Sequence, residues 1–248
     1  MSELKISVVT VSYNAEATIS ACIRSVINQT YNNVEYIIID GASTDNTPAI
    51  IKKYESQVYI VVSEPDKGIY DAINKGIGLA TGDIIGALNA DDFFSDTNVL
   101  ELIAAAFKYN AADAIYGDLD YIDKKGSVVR KWRSGQYKHG QFNRGWMPPH
   151  PTFYCRRELF EKFGNYSLAF GTAADYELML RFIHLQQVRV YYLKTVLVKM
   201  TVGGVSNSTC KNRAKAFYYD LKAMYTNNIY FPPAALLVKP LRKLRQFF

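Results

Sequence analysis

Four apolar runs rich in β-branched residues, at 6–11, 34–39, 58–62 and 84–88, are separated by segments of helical periodicity. That alternation predicts βαβ units building a mainly parallel sheet. The first helical segment puts Ile19, Ile23, Val26 and Ile27 on one face, and the second offers Ser43, Thr44 and Asp45 as caps with Pro48 in the first turn. Each run ends in polar residues: Ser12-Tyr13-Asn14, Asp40-Gly41, Ser63-Glu64-Pro65-Asp66 and Asn89-Ala90-Asp91-Asp92. In open parallel sheets ligands bind beyond the carboxyl ends of the strands, so the four tips are expected to share one crevice.

From about Ala112 the pattern changes. A strand is expected at 114–116, then a hairpin over 119–132 turning at Lys124-Lys125-Gly126, a polar aromatic loop, and helices at 157–163 and 174–187. The 248 residues suffice for one large α/β domain with a full core. We expect a single domain over 1–206, in two halves at 1–112 and 113–206. A helical extension with a basic amphipathic tail is expected over 207–248. The tail mixes Leu236, Leu237, Leu241, Leu244 and Phe247 with Lys239, Arg242, Lys243 and Arg245, interrupted by Pro240. It suits either an anionic membrane surface or packing on the domain.

Three cysteines at unrelated spacings give no C-x-x-C pair, and the first residues lack the pattern of a signal peptide. No apolar stretch reaches the ~18 residues of a membrane span. The expected setting is therefore cytoplasmic, at the inner face of the cell membrane if the tail binds lipid. The net charge of +6 favours anionic partners. Nucleic acid is not expected, because the basic residues are dispersed outside the tail and no recognition motif accompanies them.

Asn89-Ala90-Asp91-Asp92 follows an apolar strand, and clustered carboxylates there suit a hard cation that neutralises a departing diphosphate. The alternative is that Asp91 and Asp92 cap a helix starting near Thr97. In Glu64-Pro65-Asp66-Lys67-Gly68 an ammonium and backbone N–H groups stand where they can meet phosphate or sugar oxygens; an ordinary solvated turn is the alternative. Asp71, Asn74 and Lys75 either extend that wall or face water. Gly76, Gly78 and Gly82 imitate a dinucleotide fingerprint but precede a strand, which excludes that reading. Asp175 suits a general base for a hydroxyl acceptor, with helix capping as the alternative. His150, in Pro148-Pro149-His150-Pro151, is a further metal-ligand candidate, whereas His139 and His184 read as ordinary surface or core residues.

The ordered set Val9-Thr10-Val11-Ser12-Tyr13-Asn14, Ile39-Asp40-Gly41-Ala42-Ser43-Thr44-Asp45, residues 63–76, Thr81-Gly82-Asp83 with residues 89–92, and Ala173-Ala174-Asp175-Tyr176 resembles the family 2 glycosyltransferases of GT-A fold. The resemblance implies a catalytic domain of a nucleotide-diphospho-sugar transferase, with 1–112 the nucleotide-sugar half and 113–206 the acceptor half, in which Thr10, Val11 and Tyr13 flank the nucleoside and Asp40 lies near the base. Asp66 and Lys67 would approach the base, ribose or phosphates. Asn14, Gly68, Asn74, Asn89 and Ala90 complete the expected donor-binding set. The family's metal-binding acid falls on Asp91, with Asp92 beside it, and Mn²⁺ or Mg²⁺ is the implied cofactor. Asp175 takes the position of the catalytic base of inverting members, and Gly203-Gly204-Val205-Ser206 resembles their closing segment. Asn89 stands in place of the first acid of D-x-D, and Gly41 in place of a second aspartate.

The expected reaction moves a sugar from a nucleotide-sugar donor, UDP-linked, to a hydroxyl of a glycan or lipid-linked acceptor. Surface-polysaccharide synthesis is the expected setting. Rival readings are transfer to a polyprenyl phosphate, a sugar-1-phosphate nucleotidyltransferase, and a non-catalytic nucleotide-sugar-binding protein.

Overall fold

The protein is described from a computed structural model, which covers residues 3–202, 210–244 and 246. Four parallel strands open the chain: β1 (Ile6–Ser12), β2 (Val34–Asp40), β3 (Ile60–Ser63) and β4 (Ile84–Asn89). Between them run α1 (Ile19–Ile27), α2 (Thr47–Lys52) and α3 (Ile69–Leu79). Successive residues of a strand face opposite sides. Val9, Val11, Ile37 and Ile39 accordingly pack on the side of α3, while Ile6, Val8, Tyr36 and Ile38 pack against α1. Both faces are buried, which is why the runs are apolar almost throughout.

The α2 start differs from its expected place. Ser43 is drawn away to Asp40, and the helix begins at Thr47, whose N–H donates to Asp45 Oδ1 at 2.9 Å. The glycines that imitate a dinucleotide fingerprint have a packing role instead. A Cβ on Gly76 would stand 2.3 Å from Val9 Cγ1, so α3 needs a bare backbone there to reach the sheet.

Beyond β4 the sheet becomes mixed. The expected strand at 114–116 is the start of a longer one, β6 (Ala114–Ile122), which turns through Gly126 into β7 (Val128–Trp132). Three strands were not read from the sequence: β5 (Asp92–Phe94), β8 (Tyr154–Arg156) and β9 (Val190–Thr201). The order is β3-β2-β1-β4-β8-β6-β9-β5, with β7 on β6. β8 runs antiparallel between β4 and β6, and joins the two halves in one sheet. β6 and β9 are parallel. A Cβ on Gly86 of β4 would lie 2.1 Å from the Tyr154 ring of β8, so this junction is close-packed.

Helices α4 (Val99–Tyr109), α5 (Arg157–Phe163) and α6 (Ala174–Met179) cover the sheet, and a π-helical turn, Leu180–Leu185, continues α6. α7 (Cys210–Thr226) and α8 (Pro232–Leu244) follow. α8 packs on the domain: Ala235 and Leu236 are buried, and Gly145 meets its backbone so closely that a Cβ would stand 2.7 Å from Lys239 N. Leu237 and Leu241 of the same helix remain exposed. Among the described residues no helix is long and apolar enough to cross a membrane. The expected boundary at 206–207 and the segment 203–206 lie outside the described residues.

Candidate active site

The strand tips are in register: Ser12 pairs with Asp40, Asp40 with Ser63, and Val11 with Asn89. Asp40 sits in the middle and is 1% exposed. Its Oδ1 accepts from Ser12 Oγ at 3.0 Å and Ser43 Oγ at 2.5 Å, and its Oδ2 from Ser63 Oγ at 2.7 Å and Ser43 N at 3.0 Å. Four hydrogen bonds exhaust the carboxylate. Asp40 thereby staples three strands, leaving little of itself to meet a base.

Gly41 explains its own identity. A Cβ there would stand 2.4 Å from Asp66 Oδ2 and 3.4 Å from the Tyr13 ring. Tyr13, Gly41 and Asp66 therefore form one cluster, with Tyr13 66% exposed as an open stacking surface. Gly68 N–H fixes Asp66 by donating to Oδ1 at 2.7 Å, and Lys67 beside it is exposed. Three expected donor contacts are engaged elsewhere. Thr10 is buried against Tyr36 and Cys22. The Asn14 amide oxygen accepts from Thr44 N. Asn74 donates to Tyr166 O at 2.8 Å and accepts from Tyr166 N at 3.0 Å. Val11 is buried in the core, and Ala90 beneath the tip of β4.

Asp91 and Asp92 do not cap α4, which begins at Val99, seven residues beyond Asp92. Asp91 is half-buried in the turn after β4, whereas Asp92 opens β5 and is 0% exposed. Burial, reinforced by the charge of Asp91, raises the Asp92 carboxyl well above the usual carboxylate range, and Asn89 Nδ2 donating at 3.2 Å opposes this only in part. Its Oδ1 has no hydrogen-bond partner. Asp92 thus lies inside the fold, where burial disfavours its charged form, and Asp91 alone of the pair is partly exposed.

Asn89 continues toward the residues beyond β6. Its Nδ2 lies 3.5 Å from His150 Nε2, and His150 Nδ1 lies 3.2 Å from Asp175 Oδ2. His150 is held by a 3₁₀ turn, His150–Thr152, anchored by the buried Thr152 hydroxyl to Pro149 O at 2.8 Å and to Gly117 N at 3.2 Å. Asp175 stands in the first turn of α6, and its Oδ1 accepts from Tyr176 N at 2.8 Å. Oδ2 is thus left to His150. Gly171, at φ +47, turns the chain into α6 with the Tyr219 ring of α7 filling the place of a side chain. Tyr70 of α3 bridges the halves: it stacks on Tyr166, and its hydroxyl donates to Thr172 O at 3.4 Å. Burial, then the charge of Asp175, pushes the Tyr70 hydroxyl well above its ordinary range.

Sequence reading named His150 and Asp175 separately and missed their pairing, which links residues far apart in the chain. Tyr70 was missed altogether. Both His150 and Asp175 open onto a cavity of about 600 Å³; Tyr13, Asp66 and Asp91 stand outside its lining.

Residues 7–172 match the family described as glycosyl transferase family 2. The chain belongs to that family. A PGL/p-HBAD biosynthesis glycosyltransferase of Mycobacterium bovis is 28% identical over 207 residues, covering 82% of this chain and 79% of the relative. The Escherichia coli UDP-Glc:alpha-D-GlcNAc-diphosphoundecaprenol beta-1,3-glucosyltransferase WfgD is 34% identical over 137 residues, 55% of this chain and 53% of its own. Among solved structures, S. aureus TarS 1-349 in complex with UDP superposes with a TM-score of 0.72 at 16% identity, covering 95% of this chain and 70% of that one. The Pyrobaculum calidifontis mannosyltransferase PcManGT with GDP-Man and Mn²⁺ gives 0.68 at 16% identity, over 97% and 73%. The family 2 chain thus has the GT-A fold, a mixed α/β domain with C-terminal helices.

Proposed function

We propose that this family 2 glycosyltransferase is an inverting enzyme that moves a sugar from a nucleoside-diphosphate donor, UDP-linked, to a hydroxyl of a glycan or lipid-linked acceptor. The observation that carries the reading is the link from Asn89 at the tip of β4 through His150 to Asp175. It supports a role for Asp175 beside the strand tips that this reading gives to the donor. The UDP complex of TarS and the lipid-linked acceptor named for WfgD support the choice of partners.

In this reading Tyr13 stacks on the base, Asp66 meets the nucleoside and Lys67 meets the phosphates. His150 Nδ1, beside Asp175 Oδ2, holds that carboxylate in direction, with Asn89 on the far side of the ring. Asp175 takes the proton of the acceptor hydroxyl as that oxygen attacks the anomeric carbon from the face opposite the nucleotide. One displacement gives inversion. Among the described residues no three His, Cys, Asp or Glu side chains form a metal cage. Asp91 still fits a hard cation, since Mg²⁺ and Mn²⁺ sites commonly combine one or two carboxylates with substrate phosphates and water. Such an ion, when bound, neutralises charge on the departing diphosphate. Asp92 is better placed as a buried support for Asn89. His150, occupied by Asp175 and Asn89, is better placed as that carboxylate's partner than as a ligand.

The exposed Leu237 and Leu241 on the basic helix α8 support peripheral work at the inner face of the cell membrane. The deciding experiment is Asp175→Asn. Transfer should vanish while UDP still raises the melting temperature as it does in the parent. Equal loss of both sinks the assignment of Asp175, and full turnover would point to an acceptor already ionised, such as a polyprenyl phosphate.

A further inference from the structure

Two routes cross from the parallel strands toward Asp175. One is the link through Asn89 and His150; the other leaves from α3. The loop before that helix is tied down at three points: Gly68 N–H donates to Asp66 Oδ1 at 2.7 Å, Lys67 N–H to Asp71 Oδ2 at 2.9 Å, and Lys75 Nζ to Pro65 O at 2.8 Å. Tyr70 stands in the first turn of α3, and Asn74 follows one turn on along the same face. Both grip the other half of the fold. Asn74 binds the N–H and the C=O of Tyr166, and Tyr70 stacks on the Tyr166 ring with centroids 5.5 Å apart. The Tyr70 hydroxyl then donates to Thr172 O at 3.4 Å, just ahead of Asp175, and the side chain lines the cavity with Asp175 and His150.

Packing does not account for that hydroxyl. Phenylalanine would keep the stack, and a contact of 3.4 Å is long beside the roughly 2.7–2.8 Å of an ordinary O–H···O bond. The phenol lies in the field of Asp175, and burial together with that charge keeps it a neutral donor. The turn it touches, Leu168–Ala173, is braced by α7, where Lys222 Nζ donates to Ala169 O at 2.9 Å and the Tyr219 ring packs at Gly171. Tyr70 meets the same turn from α3. An in-line displacement needs base, acceptor oxygen and anomeric carbon fixed together, and an error of about 1 Å can cost about a hundredfold in rate. We propose that Tyr70 is a positioning residue that joins the loop 64–68 to the turn leading into Asp175, so that a nucleotide held at Asp66 also fixes the base. This rests on the readings of Asp66 as a nucleoside contact and of Asp175 as the base.

Hydrogen exchange of the full chain, with and without UDP and Mn²⁺, tests the link, with Tyr70→Phe as the variant. In the parent, UDP should slow exchange at 64–71 and at 168–176 at least fivefold. In Tyr70→Phe the slowing at 64–71 should remain and that at 168–176 should fall below twofold, with no lowering of the melting temperature. Release of UDP from UDP-glucose, water serving as acceptor, should fall at least fivefold in kcat, with KM within twofold of the parent. Slowing at 168–176 that survives in the variant overturns the proposal, as does slowing confined to 64–71 in the parent, or an unchanged rate. Exchange at 168–176 that rises equally with and without UDP, or a melting temperature that falls along with the rate, makes the phenol ordinary packing and overturns it too. If UDP slows neither segment in the parent, the donor reading beneath the proposal fails; full turnover by Asp175→Asn removes the base assignment instead.

Discussion

His150 Nδ1 lies 3.2 Å from Asp175 Oδ2, and the other nitrogen of the same ring faces Asn89 across 3.5 Å. A carboxylate partnered in this way is fixed in direction, which is what a base at an acceptor hydroxyl requires. His150→Ala is therefore expected to lower kcat by about tenfold to a hundredfold, a loss short of full removal of the base. KM for the nucleotide sugar should stay near the parent value. His150→Gln, which still donates a hydrogen bond, should recover part of the rate. A drop in donor affinity as large as the drop in kcat would show that the histidine serves the donor instead.

Asp91 and Asp92 are neighbours in sequence with opposite surroundings, half-exposed and fully buried. Asp91→Ala should abolish the extra thermal shift that Mn²⁺ gives in the presence of UDP. Asp92→Asn, which still offers an acceptor to Asn89, should retain that shift. Reversal of the two results would return the metal to Asp92.

Gly41 is expected to tolerate no side chain. The Cβ of Gly41→Ala would press on an Asp66 carboxylate that Gly68 N–H already holds at 2.7 Å. UDP affinity should weaken by about tenfold, ~1.4 kcal/mol, with little change in melting temperature, because the clash falls on a surface cluster. Unchanged affinity, measured by titration calorimetry, would remove Asp66 from the nucleoside contacts.

Glu35 links the starts of β1 and β2 to the turn before β4. Burial by itself would raise its carboxyl, but hydrogen bonds from Lys5 at 2.7 Å, Ser7 at 2.6 Å and Thr81 at 2.6 Å outweigh it and hold the group at about 2. A depressed carboxylate adds stability that is complete above the unfolded value and lost as pH falls toward the folded one. Acid unfolding should therefore steepen between about pH 4.5 and 2. Glu35→Gln should be less stable at pH 7, and the gap should close at low pH. A gap independent of pH would show that packing, not charge, sets the difference.

Tail packing was open in the sequence because the Leu236 and Leu237 side chains carry the same chemistry. The packing of α8 on the domain, with its backbone against Gly145, leaves Leu236 buried and Leu237 exposed. The same holds for Asp91 and Asp92, two identical side chains whose separation in burial follows from where β5 pairs with β9. Short strands such as β5 and β8 carry too few residues for a period to show, and their partners lie about a hundred residues away or several strand-lengths along the chain.

The sequence by itself determined the parallel strands of the first half and their polar ends, because strand period, apolar runs and turn chemistry act over a few neighbouring residues. It also carried the family motifs in order, from Tyr13 through Asp66 and Asp91 to Asp175. Only the tertiary structure decided that Asp40 is a staple, that Asp92 is inside, that His150 faces Asp175, and that α8 closes a cavity beside them. The contacts behind them join side chains 28 and 23 positions apart at Asp40, 61 and 25 at His150, and more than 100 across the cavity; they arise only when the strands assemble into one sheet, and no single local pattern encodes them.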